Sequence, residues 1–441
     1  MKETIIQFGE GNFLRGFVDY FIHKLNEKEL YSGKAVIVQP IANGLCDKIN
    51  EQKGVYNLFL RGIENGKEVN EHTEIHSISR ALNPYEDLGA YLELAHNPDF
   101  RFIISNTTEA GIAYDPNCKI TDAPPSSFPA KLTLLLYERF KANLPGFNIL
   151  ACELIDNNGK ELQKCVLKYV QQWKLGEDFY EWVISENKFC STLVDRIVTG
   201  YPKDEAETLC KQIGWNDGLL DTAEIFHLWV IEGNFEDELP LCKAGFNVVW
   251  TNDVTPYKKR KVRVLNGAHT SMVFPALLCG IESVGDCLKD EQINAFLREC
   301  IFKYIIPMLG ESEENISFAN SVLERFKNPY ICHQLKSIAL NSVSKFSVRV
   351  LPTAFDYKKV NGEYPRPIAL SLAALIEYYK NNNVSDDENA VKFIKNNTLP
   401  NILANPDLWG EDLSEMLESV EEGTALIQQK GIREAIKWAL S

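Results

Sequence analysis

Three polar side chains in the segment Lys258–Thr270 have types and spacing that could support proton transfer. If the segment is an α-helix that turns by about 100° per residue, Lys261, His269 and Asn266 lie at about 0°, 80° and 140° around its axis. One side of the helix can then present all three to a cleft. A lysine amine can act as acid or base in hydride transfer. An asparagine or histidine can donate a hydrogen bond to a carbonyl oxygen that becomes negative as it is reduced.

A lysine with an ordinary pKa of about 10.4 must have that pKa lowered by burial or neighbouring cations before it can work near neutral pH. The same segment supplies such cations at Lys258, Lys259, Arg260 and Arg263. Taken separately, a basic run is usually a solvated helix face, and a lone histidine is usually a core residue. Asn266, Gly267 and His269 within one helical turn favour a site instead, because asparagine and glycine are poor helix formers.

A second candidate site is the turn Gly9–Gly16, which follows the short apolar run Thr4–Phe8. The apolar spacing of Phe13–Leu25 predicts an amphipathic helix after the turn. Glycines between a strand and a helix let the backbone approach a pyrophosphate, and free N–H groups in the first helical turn favour an anion. Arg15 could add a direct charge contact. Because Leu14 stands where G-x-G-x-x-G has its third glycine, a purely structural turn is the alternative.

The second apolar run, Ala35–Ile41, lacks the acidic residue that commonly binds the adenosine ribose of NAD. Gln39 could form a hydrogen bond with a ribose hydroxyl instead. No arginine lies beside it to bind a 2′-phosphate, so the sequence favours NAD over NADP.

The order of apolar runs and helical patterns predicts two domains. Short Val/Ile runs that alternate with helices indicate an α/β fold with a buried parallel sheet. Val55–Ile78 reads as a β insertion, with a hairpin turn at Glu64–Lys67 because Asn-Gly tolerates positive φ. Beyond Pro256 the spacing is mostly helical, which places the boundary between domains 1–253 and 254–441.

Composition narrows the class of protein. The 441 residues include 46 Lys+Arg and 61 Asp+Glu, a net charge of −15, which disfavours nucleic-acid binding. The longest nearly apolar stretch, Met272–Ile281, is shorter than the roughly 20 residues of a membrane span. No signal-peptide pattern begins the chain, so we expect a cytoplasmic protein. The 11 cysteines contain no Cys-x-x-Cys, and we expect free thiols. The oligomeric state cannot be read from the sequence.

Together these segments resemble the polyol-specific long-chain dehydrogenases, the mannitol dehydrogenase family. That family carries Lys, four residues, Asn, two residues, His, and Lys261, Asn266 and His269 match this spacing. The glycine turn also resembles the cofactor loop of the family. Further similar segments are Thr107–Gly111, Cys152–Glu153 with Asn158–Gly159, Val194–Ile197 and Phe226–Val230.

The resemblance implies a metal-independent, NAD-linked enzyme with a Rossmann-like N-terminal domain and a helical C-terminal domain for substrate and catalysis. It implies Lys261 as general acid/base, with Asn266 and His269 as orienting and oxyanion-binding partners. Within the family, residues 8–15 and 265–270 are most similar to members that act on sugar acids. An epimeric keto-acid, a polyol or a polyol phosphate remains an alternative substrate. The expected cofactor-binding residues are Phe8, Gly9, Gly11, Asn12, Phe13, Arg15 and Gln39.

The substrate contacts are expected from several segments of the chain. Mannitol-type members place an oxyanion-donating Asn where this chain has Leu154, so the oxyanion contact would depend more on Asn266. A substrate carboxylate needs a cation. The residues expected to bind substrate are Glu109, Asp195, Arg349 and Lys358.

Three other interpretations are open. Tyr257 and Lys261 form Tyr-x-x-x-Lys, the acid/base pair of short-chain dehydrogenases. His72 and His76 have the i, i+4 spacing of a zinc helix, although they fall in the predicted β insertion. The same fold could also serve a nucleotide-binding sensor or scaffold that is not an enzyme.

Overall fold

The computed structural model describes all 441 residues. They separate into two units, an N-terminal unit of Met1–Gly62 and Glu68–Thr255, and a C-terminal unit of Ile63–Lys67 and Pro256–Ser441. No helix combines the length and the apolar composition needed to span a bilayer.

Eight strands of the N-terminal unit form one sheet in the order β11-β10-β8-β7-β6-β1-β2-β5. All neighbours are parallel except β8 and β10. Because β2 lies on one side of β1 and β6 on the other, the strand order reverses at β1, where open α/β sheets commonly bind ligands. The strands of the chain are β1 (Lys2–Phe8), β2 (Gly33–Val38), β3 (Tyr56–Glu64), β4 (Lys67–Ile75), β5 (Ile78–Leu82), β6 (Phe102–Ser105), β7 (Asn148–Ala151), β8 (Lys188–Asp195), β9 (Asp221–Glu224), β10 (Leu228–Glu232) and β11 (Val248–Thr251).

Both faces of this sheet are buried, as the apolar runs predict. Successive residues of a strand point to opposite faces, so Ile5 joins one apolar cluster while Ile6 joins the other. In β6, Ile104 joins the first of these clusters and Ile103 joins the second. The predicted α/β fold with a buried parallel sheet is confirmed.

The β insertion is also present as expected. β3 and β4 lie side by side, joined by Asn65 and Gly66, whose φ angles are 53° and 74°. Two positive φ values in a two-residue turn match the hairpin geometry that Asn-Gly favours. The sequence did not predict that β3 also pairs in parallel with β9, which completes a separate three-stranded sheet.

The helix expected over Phe13–Leu25 is wrong in one respect, because it is broken after Arg15. The carbonyl of Arg15 accepts the Tyr56 hydroxyl proton at 2.6 Å, and the carbonyl of Gly16 accepts from Arg196 Nη1 at 2.7 Å. Both carbonyls therefore leave the helical hydrogen-bond ladder. The helices of the N-terminal unit are α1 (Asn12–Arg15), α2 (Val18–Glu27), α3 (Cys46–Glu51), α4 (Leu88–Glu93), α5 (Phe128–Lys141), α6 (Asn158–Gln172), α7 (Glu177–Ser185) and α8 (Ala206–Ile213), with a 3₁₀ turn at Leu94–His96.

The C-terminal unit is helical beyond Pro256, as its spacing predicts. Its helices are α9 (Thr255–Lys261), α10 (Gly267–Leu278), α11 (Val284–Lys289), α12 (Glu291–Glu299), α13 (Ile306–Leu309), α14 (Glu313–Phe326), α15 (Leu335–Ile338), α16 (Ser342–Arg349), α17 (Leu351–Asn361), α18 (Arg366–Asn381), α19 (Glu388–Asn396), α20 (Leu399–Leu403), α21 (Pro406–Trp409), α22 (Leu417–Lys430) and α23 (Ile432–Ala439), with π-helical turns at Val262–Asn266 and Cys300–Ile305 and a 3₁₀ turn at Ser414–Met416.

Helix α10 is the centre of this unit, and α18 packs along it. Pro275 lies inside α10 and has no N–H to donate to the carbonyl of Ser271. The hydroxyl of Ser371 on α18 donates to that carbonyl at 2.8 Å. The neighbouring helix therefore satisfies the carbonyl that the proline leaves free, which fixes α18 against the helix that carries the candidate residues.

Candidate active site

The glycine turn follows β1 and has a backbone that only glycine adopts easily. Gly9 has a φ of 118°, and a Cβ added there would lie 2.6 Å from the carbonyl oxygen of Asn106. A Cβ added at Gly11 would meet nothing within 4 Å. No side chain caps the start of α1, so its first N–H groups are free of side-chain acceptors. The two glycines therefore differ, because Gly9 is needed inside the fold and Gly11 borders open space.

Arg15, expected to contact phosphate, is buried inside the N-terminal unit. Its guanidinium donates to the carbonyl of Leu219 and, at 2.5 Å, to Asn12 Oδ1. It also lies over the ring of Tyr56. The partners of Arg15 thus lie within the protein, and its side chain stabilises the turn. This corrects the expected phosphate contact.

Gln39 is likewise committed to the protein. Its Nε2 donates to the carbonyls of Ile41 and Ala42 at 2.9 and 3.1 Å, and its Oε1 accepts from the N–H of Cys46 at 3.0 Å. The side chain is buried and closes the loop between β2 and α3. The expected ribose hydrogen bond is therefore replaced by a structural role.

The aromatic residues of the turn differ in exposure. Phe8 is fully buried and packs on Tyr91 and Phe128, so its side chain belongs to the core and only its backbone borders the turn. Phe13 is half-buried and stacks on Phe17 at 5.1 Å between ring centroids. Cofactor binding by Phe8 therefore stays a prediction that concerns its backbone alone.

Beside the turn, the ends of β6 and β7 are joined through Glu153. Its carboxylate accepts from Ser105 Oγ at 3.0 Å, and from the N–H and hydroxyl of Thr107 at 3.0 and 2.9 Å. Burial raises the pKa of Glu153, while these hydrogen bonds act in the opposite direction. Asn106 Nδ2 donates to the carbonyl of Cys152 at 2.8 Å. This network fixes the edge of the sheet on which Gly9 packs.

The remaining predicted residues of the N-terminal unit lie near the same edge of the sheet. Glu109 is exposed in the loop after β6, and Asp195 is the buried last residue of β8. Leu154, which stands where related sequences place an oxyanion-donating asparagine, is 60% exposed after β7.

In the C-terminal unit, the segment Lys258–Thr270, which the sequence predicts as an α-helix, contains a π-helical turn at Val262–Asn266. The N–H of Gly267 donates to the carbonyl of Val262, five residues earlier. Because such a turn is wider than an α-helical one, each residue advances by less than 100°. Asn266 therefore lies closer to Lys261 around the axis than the α-helical spacing predicts.

Two of the cations expected to repel Lys261 are paired with carboxylates. Arg260 Nη1 lies 2.5 Å from Glu314 Oε1, and Arg263 Nη1 lies 2.5 Å from Asp356 Oδ2. Both arginines are buried. Carboxylates therefore offset part of the like charge that the sequence places beside Lys261 at Arg260 and Arg263.

His269 lies in a group of rings and cations. Its imidazole stacks on Phe326 at 4.1 Å and meets the edge of His333 at 5.3 Å. Its Nε2 is enclosed and has no hydrogen-bond partner. Burial, with smaller effects from His333, Arg325 and Arg349, holds the pKa of His269 well below its ordinary value. The ring is therefore neutral near pH 7 and can donate one hydrogen bond.

Arg349 belongs to this group. A Cβ added to Gly267 would lie 2.9 Å from the carbonyl oxygen of Arg349, so α10 and the end of α16 approach closely where the π-helical turn ends. The sequence did not single out His333 or Phe326. A histidine in the loop before α15 and a phenylalanine ending α14 carry no motif, and only the fold brings them to His269.

Lys358 lies elsewhere on α17. Its Nζ is 3.6 Å from Glu415 Oε2 and 4.9 Å from the centre of the Tyr364 ring. The structure thus joins Arg349 to the His269 group and gives Lys358 different neighbours.

The alternative sites have ordinary partners. His72 Nε2 lies 2.6 Å from Asn57 Oδ1, and the His72 ring stacks on Phe59. His76 Nε2 lies 2.8 Å from Glu74 Oε1. The guanidinium of Arg260 lies over the ring of Tyr257. These contacts account for all three side chains within the fold.

Two family descriptions match nearly the whole chain, the mannitol dehydrogenase Rossmann domain over residues 3–243 and the mannitol dehydrogenase C-terminal domain over residues 253–440. The chain belongs to the mannitol dehydrogenase family. The family resemblance drawn from the lysine helix and the glycine turn is confirmed.

Individual relatives agree with this assignment. An altronate oxidoreductase of Escherichia coli O17:K52:H18 (strain UMN026 / ExPEC) is 43% identical over 465 residues, which cover 99% of this chain and 96% of the relative. One from Escherichia coli O6:K15:H31 (strain 536 / UPEC) has the same identity and coverage. Among solved structures, substrate-free D-sorbitol dehydrogenase has a TM-score of 0.87 at 25% identity over 99% of this chain and 95% of that one. Pseudomonas fluorescens mannitol 2-dehydrogenase has the same fold, with a TM-score of 0.72 at 21% identity over 100% and 94% of the two chains.

Proposed function

We propose that this chain is an NAD-dependent oxidoreductase that interconverts D-tagaturonate and D-altronate. The observation that carries the proposal is the grouping of Asn266, His269 and Arg349 around the helix turn that begins after Lys261. It is supported by 43% identity to altronate oxidoreductases over 99% of the chain. We assign cofactor binding to residues 1–253 and substrate binding with catalysis to residues 254–441.

Lys261 acts as the general acid in the reducing direction. Its protonated ammonium gives a proton to the ketone oxygen, and the resulting amine recovers a proton from the hydroxyl in the reverse reaction. Asn266 donates a hydrogen bond to the same oxygen as it becomes negative. His269, neutral at pH 7, donates a second without adding a charge. With Leu154 in place of an amide donor, these two side chains carry the oxyanion contact.

The substrate carboxylate binds to the cations beside His269. The planar guanidinium of Arg349 can hold both carboxylate oxygens through parallel hydrogen bonds. Burial lowers the pKa of His333, so its ring is a neutral hydrogen-bond donor beside the same carboxylate. Glu109, Asp195 and Lys358 stay predicted substrate-binding residues on the family resemblance alone.

The glycine turn fits a dinucleotide, since the backbone at Gly11 borders open space and the start of α1 has no side-chain cap. Bound NAD(H) supplies or removes the hydride. Gly9, Gly11 and Asn12 would hold its pyrophosphate through their backbone, with Phe13 beside it. The absence of Arg and Lys from residues 39–47 supports NAD over NADP.

The proposal is tested by NADH oxidation with D-tagaturonate, D-fructuronate, fructose and fructose 6-phosphate, each with and without EDTA. We expect tagaturonate to give the highest kcat/KM and EDTA to have no effect. A preference for fructose over both keto-acids would refute the substrate assignment, and loss of activity with EDTA would refute metal independence. NADPH in place of NADH tests the choice of cofactor.

A further inference from the structure

A buried polar pair lies directly beneath the glycine turn. Gln7 of β1 and Asp19 of α2 are both fully buried. Gln7 Nε2 donates to the carbonyl of Gly9 at 3.2 Å and to Asp19 Oδ2 at 3.2 Å. The main chain of Asp19 is held in turn, because Ser77 Oγ donates to its carbonyl at 2.7 Å. The pair therefore joins the turn to the helix that follows it.

The position of Gln7 is unusual for a glutamine. β1 lies in the middle of a parallel sheet with both faces covered, where strand residues are normally apolar. Its neighbours Ile6 and Phe8 are fully buried. A buried amide needs hydrogen-bond partners to offset its desolvation, and the partners of Gln7 are the turn and Asp19.

The contact with Gly9 controls the direction of the next N–H group. In a trans peptide the C=O of Gly9 and the N–H of Glu10 point in opposite directions. When Gln7 draws the Gly9 oxygen towards the core, the Glu10 N–H is turned away from the core. In the structure this N–H lies beside the side-chain carboxylate of Glu10 itself, whose pKa it lowers against the larger effect of burial.

Asp19 decides which end of the Gln7 amide meets the turn. An ionised carboxylate only accepts hydrogen bonds, so it selects the NH₂ end of Gln7. That end is shared with the Gly9 oxygen, whereas Gln7 Oε1 and Asp19 Oδ1 have no partner in the fold. A protonated or amide side chain at position 19 could instead donate to Gln7 Oε1. Because a neutral side chain at position 19 is a weaker acceptor and no longer selects the NH₂ end alone, it holds the Gln7 amide less firmly against the Gly9 oxygen.

We propose that Gln7 and Asp19 are positioning residues for the cofactor: Asp19 orients the Gln7 amide, Gln7 holds the Gly9 carbonyl, and the Glu10 N–H is thereby aimed at the pyrophosphate of the dinucleotide. Neither side chain touches the cofactor. The inference rests on the proposed binding of NAD(H) at this turn.

The ionisation of Asp19 makes the orientation of the Gln7 amide, and through it the turn, dependent on pH. Burial raises the pKa of Asp19 to about 7, with Arg15 lowering it and Asp221 raising it. The other groups that face it are Gln7 and the Tyr56 hydroxyl, whose own pKa Asp19 raises. Because Asp19 loses its charge as the pH falls through about 7, cofactor affinity falls in the same range.

The test measures the Kd of NADH by fluorescence titration from pH 6 to 8.5 for the wild-type protein, Gln7→Leu, Asp19→Asn and Ser77→Ala. Loss of one hydrogen bond corresponds to a change of about threefold to tenfold. We expect Gln7→Leu to raise the Kd by about that factor at pH 8, with kcat at saturating NADH nearly unchanged. Asp19→Asn should raise the Kd at pH 8 and remove its dependence on pH. The double variant should be no weaker than Gln7→Leu alone.

Ser77→Ala is the matched control, because it removes a buried hydrogen bond to Asp19 without touching the amide or the turn. We expect its Kd to equal that of the wild-type protein. An unchanged Kd in folded Gln7→Leu, an unaltered pH profile in Asp19→Asn, or an equal rise in Ser77→Ala would each overturn the positioning role. If Gln7→Leu does not fold, the isosteric Asp19→Asn decides through its pH profile. Absence of NADH binding by the wild-type protein would overturn the cofactor assignment and this inference with it.

Discussion

Asp221 should make the N-terminal unit less stable as the pH rises, and its replacement by asparagine should remove that effect. Asp221 is fully buried at the start of β9. Its Oδ1 accepts the N–H of Thr222 at 2.9 Å, and its Oδ2 has no partner. Arg15 and Arg196 lower its pKa, but the larger effect of burial raises it to about 7 from an ordinary value of 3.8.

The direction in which stability changes with pH follows from the pKa of Asp221 in the folded chain and its pKa in the unfolded chain. Between pH 4 and 7 the unfolded chain loses the Asp221 proton while the folded chain keeps it, so stability falls as the pH rises and levels off above pH 7. At about 1.4 kcal/mol for each tenfold change in proton affinity, the full effect is about 4 kcal/mol, of which about 3 kcal/mol falls between pH 5 and 8. Asp221→Asn has no proton to lose and retains an oxygen for Thr222.

The assay is urea unfolding at pH 5, 6.5 and 8, followed by tryptophan fluorescence. We expect Asp221→Asn to gain about 3 kcal/mol over the wild-type protein between pH 5 and 8. Asp204→Asn, a change at an exposed aspartate, should show no such gain. If Asp221→Asn is less stable than the wild-type protein at pH 8, the two arginines outweigh burial and the reasoning is refuted.

The remaining predictions concern the turn and the lysine helix. Gly11→Ala should fold normally yet bind NADH at least tenfold more weakly, because its Cβ enters the open space outside the turn. Gly9→Ala should lower the stability of the N-terminal unit by about 1–3 kcal/mol, through its positive φ and the clash with Asn106, in thermal unfolding. Lys261→Ala should reduce kcat by at least about a hundredfold at unchanged NADH affinity, while Tyr257→Phe should keep kcat within a few-fold. The reverse order would favour a short-chain type of acid/base pair.

The sequence predicted those features that depend on local pattern. The alternation of apolar residues identified the strands, and Asn65-Gly66 identified the hairpin, because a two-residue turn with positive φ is determined within the turn itself. The break after Arg15 could not be predicted in this way. It depends on Tyr56 and Arg196, which are far away along the chain and take the two carbonyls that would continue the helix.

The roles of polar residues near the cofactor turn were harder to predict. Arg15 and Gln39 have the right chemistry for a phosphate and a ribose, and they lie at the expected positions in the sequence. Their side chains form hydrogen bonds with Asn12, with Leu219 and with the loop after β2, and Arg15 Nε is buried without a partner. Gln7, in contrast, reads as part of an apolar strand, although its amide reaches the turn. Residue type and spacing therefore predict where a cofactor would bind, but not which side chains form their hydrogen bonds within the protein.

The lysine helix explains why a spacing could be recognised correctly while its geometry was not. The interval from Lys261 to Asn266 is five residues, which an α-helix spreads over about 140°. The π-helical turn spans this interval, and the N–H of Gly267 closes it on Val262. Gly267 is also the residue that packs against the Arg349 carbonyl, where any larger side chain would collide. The wider turn and the absence of a side chain thus act together. The first draws Asn266 towards the side of the helix that carries Lys261, and the second lets α16 bring Arg349 beside His269. An insertion or deletion of one residue between 262 and 266 should therefore abolish turnover even if the helix persists, because it would turn Lys261 away from Asn266 and His269, the partners that we propose for it.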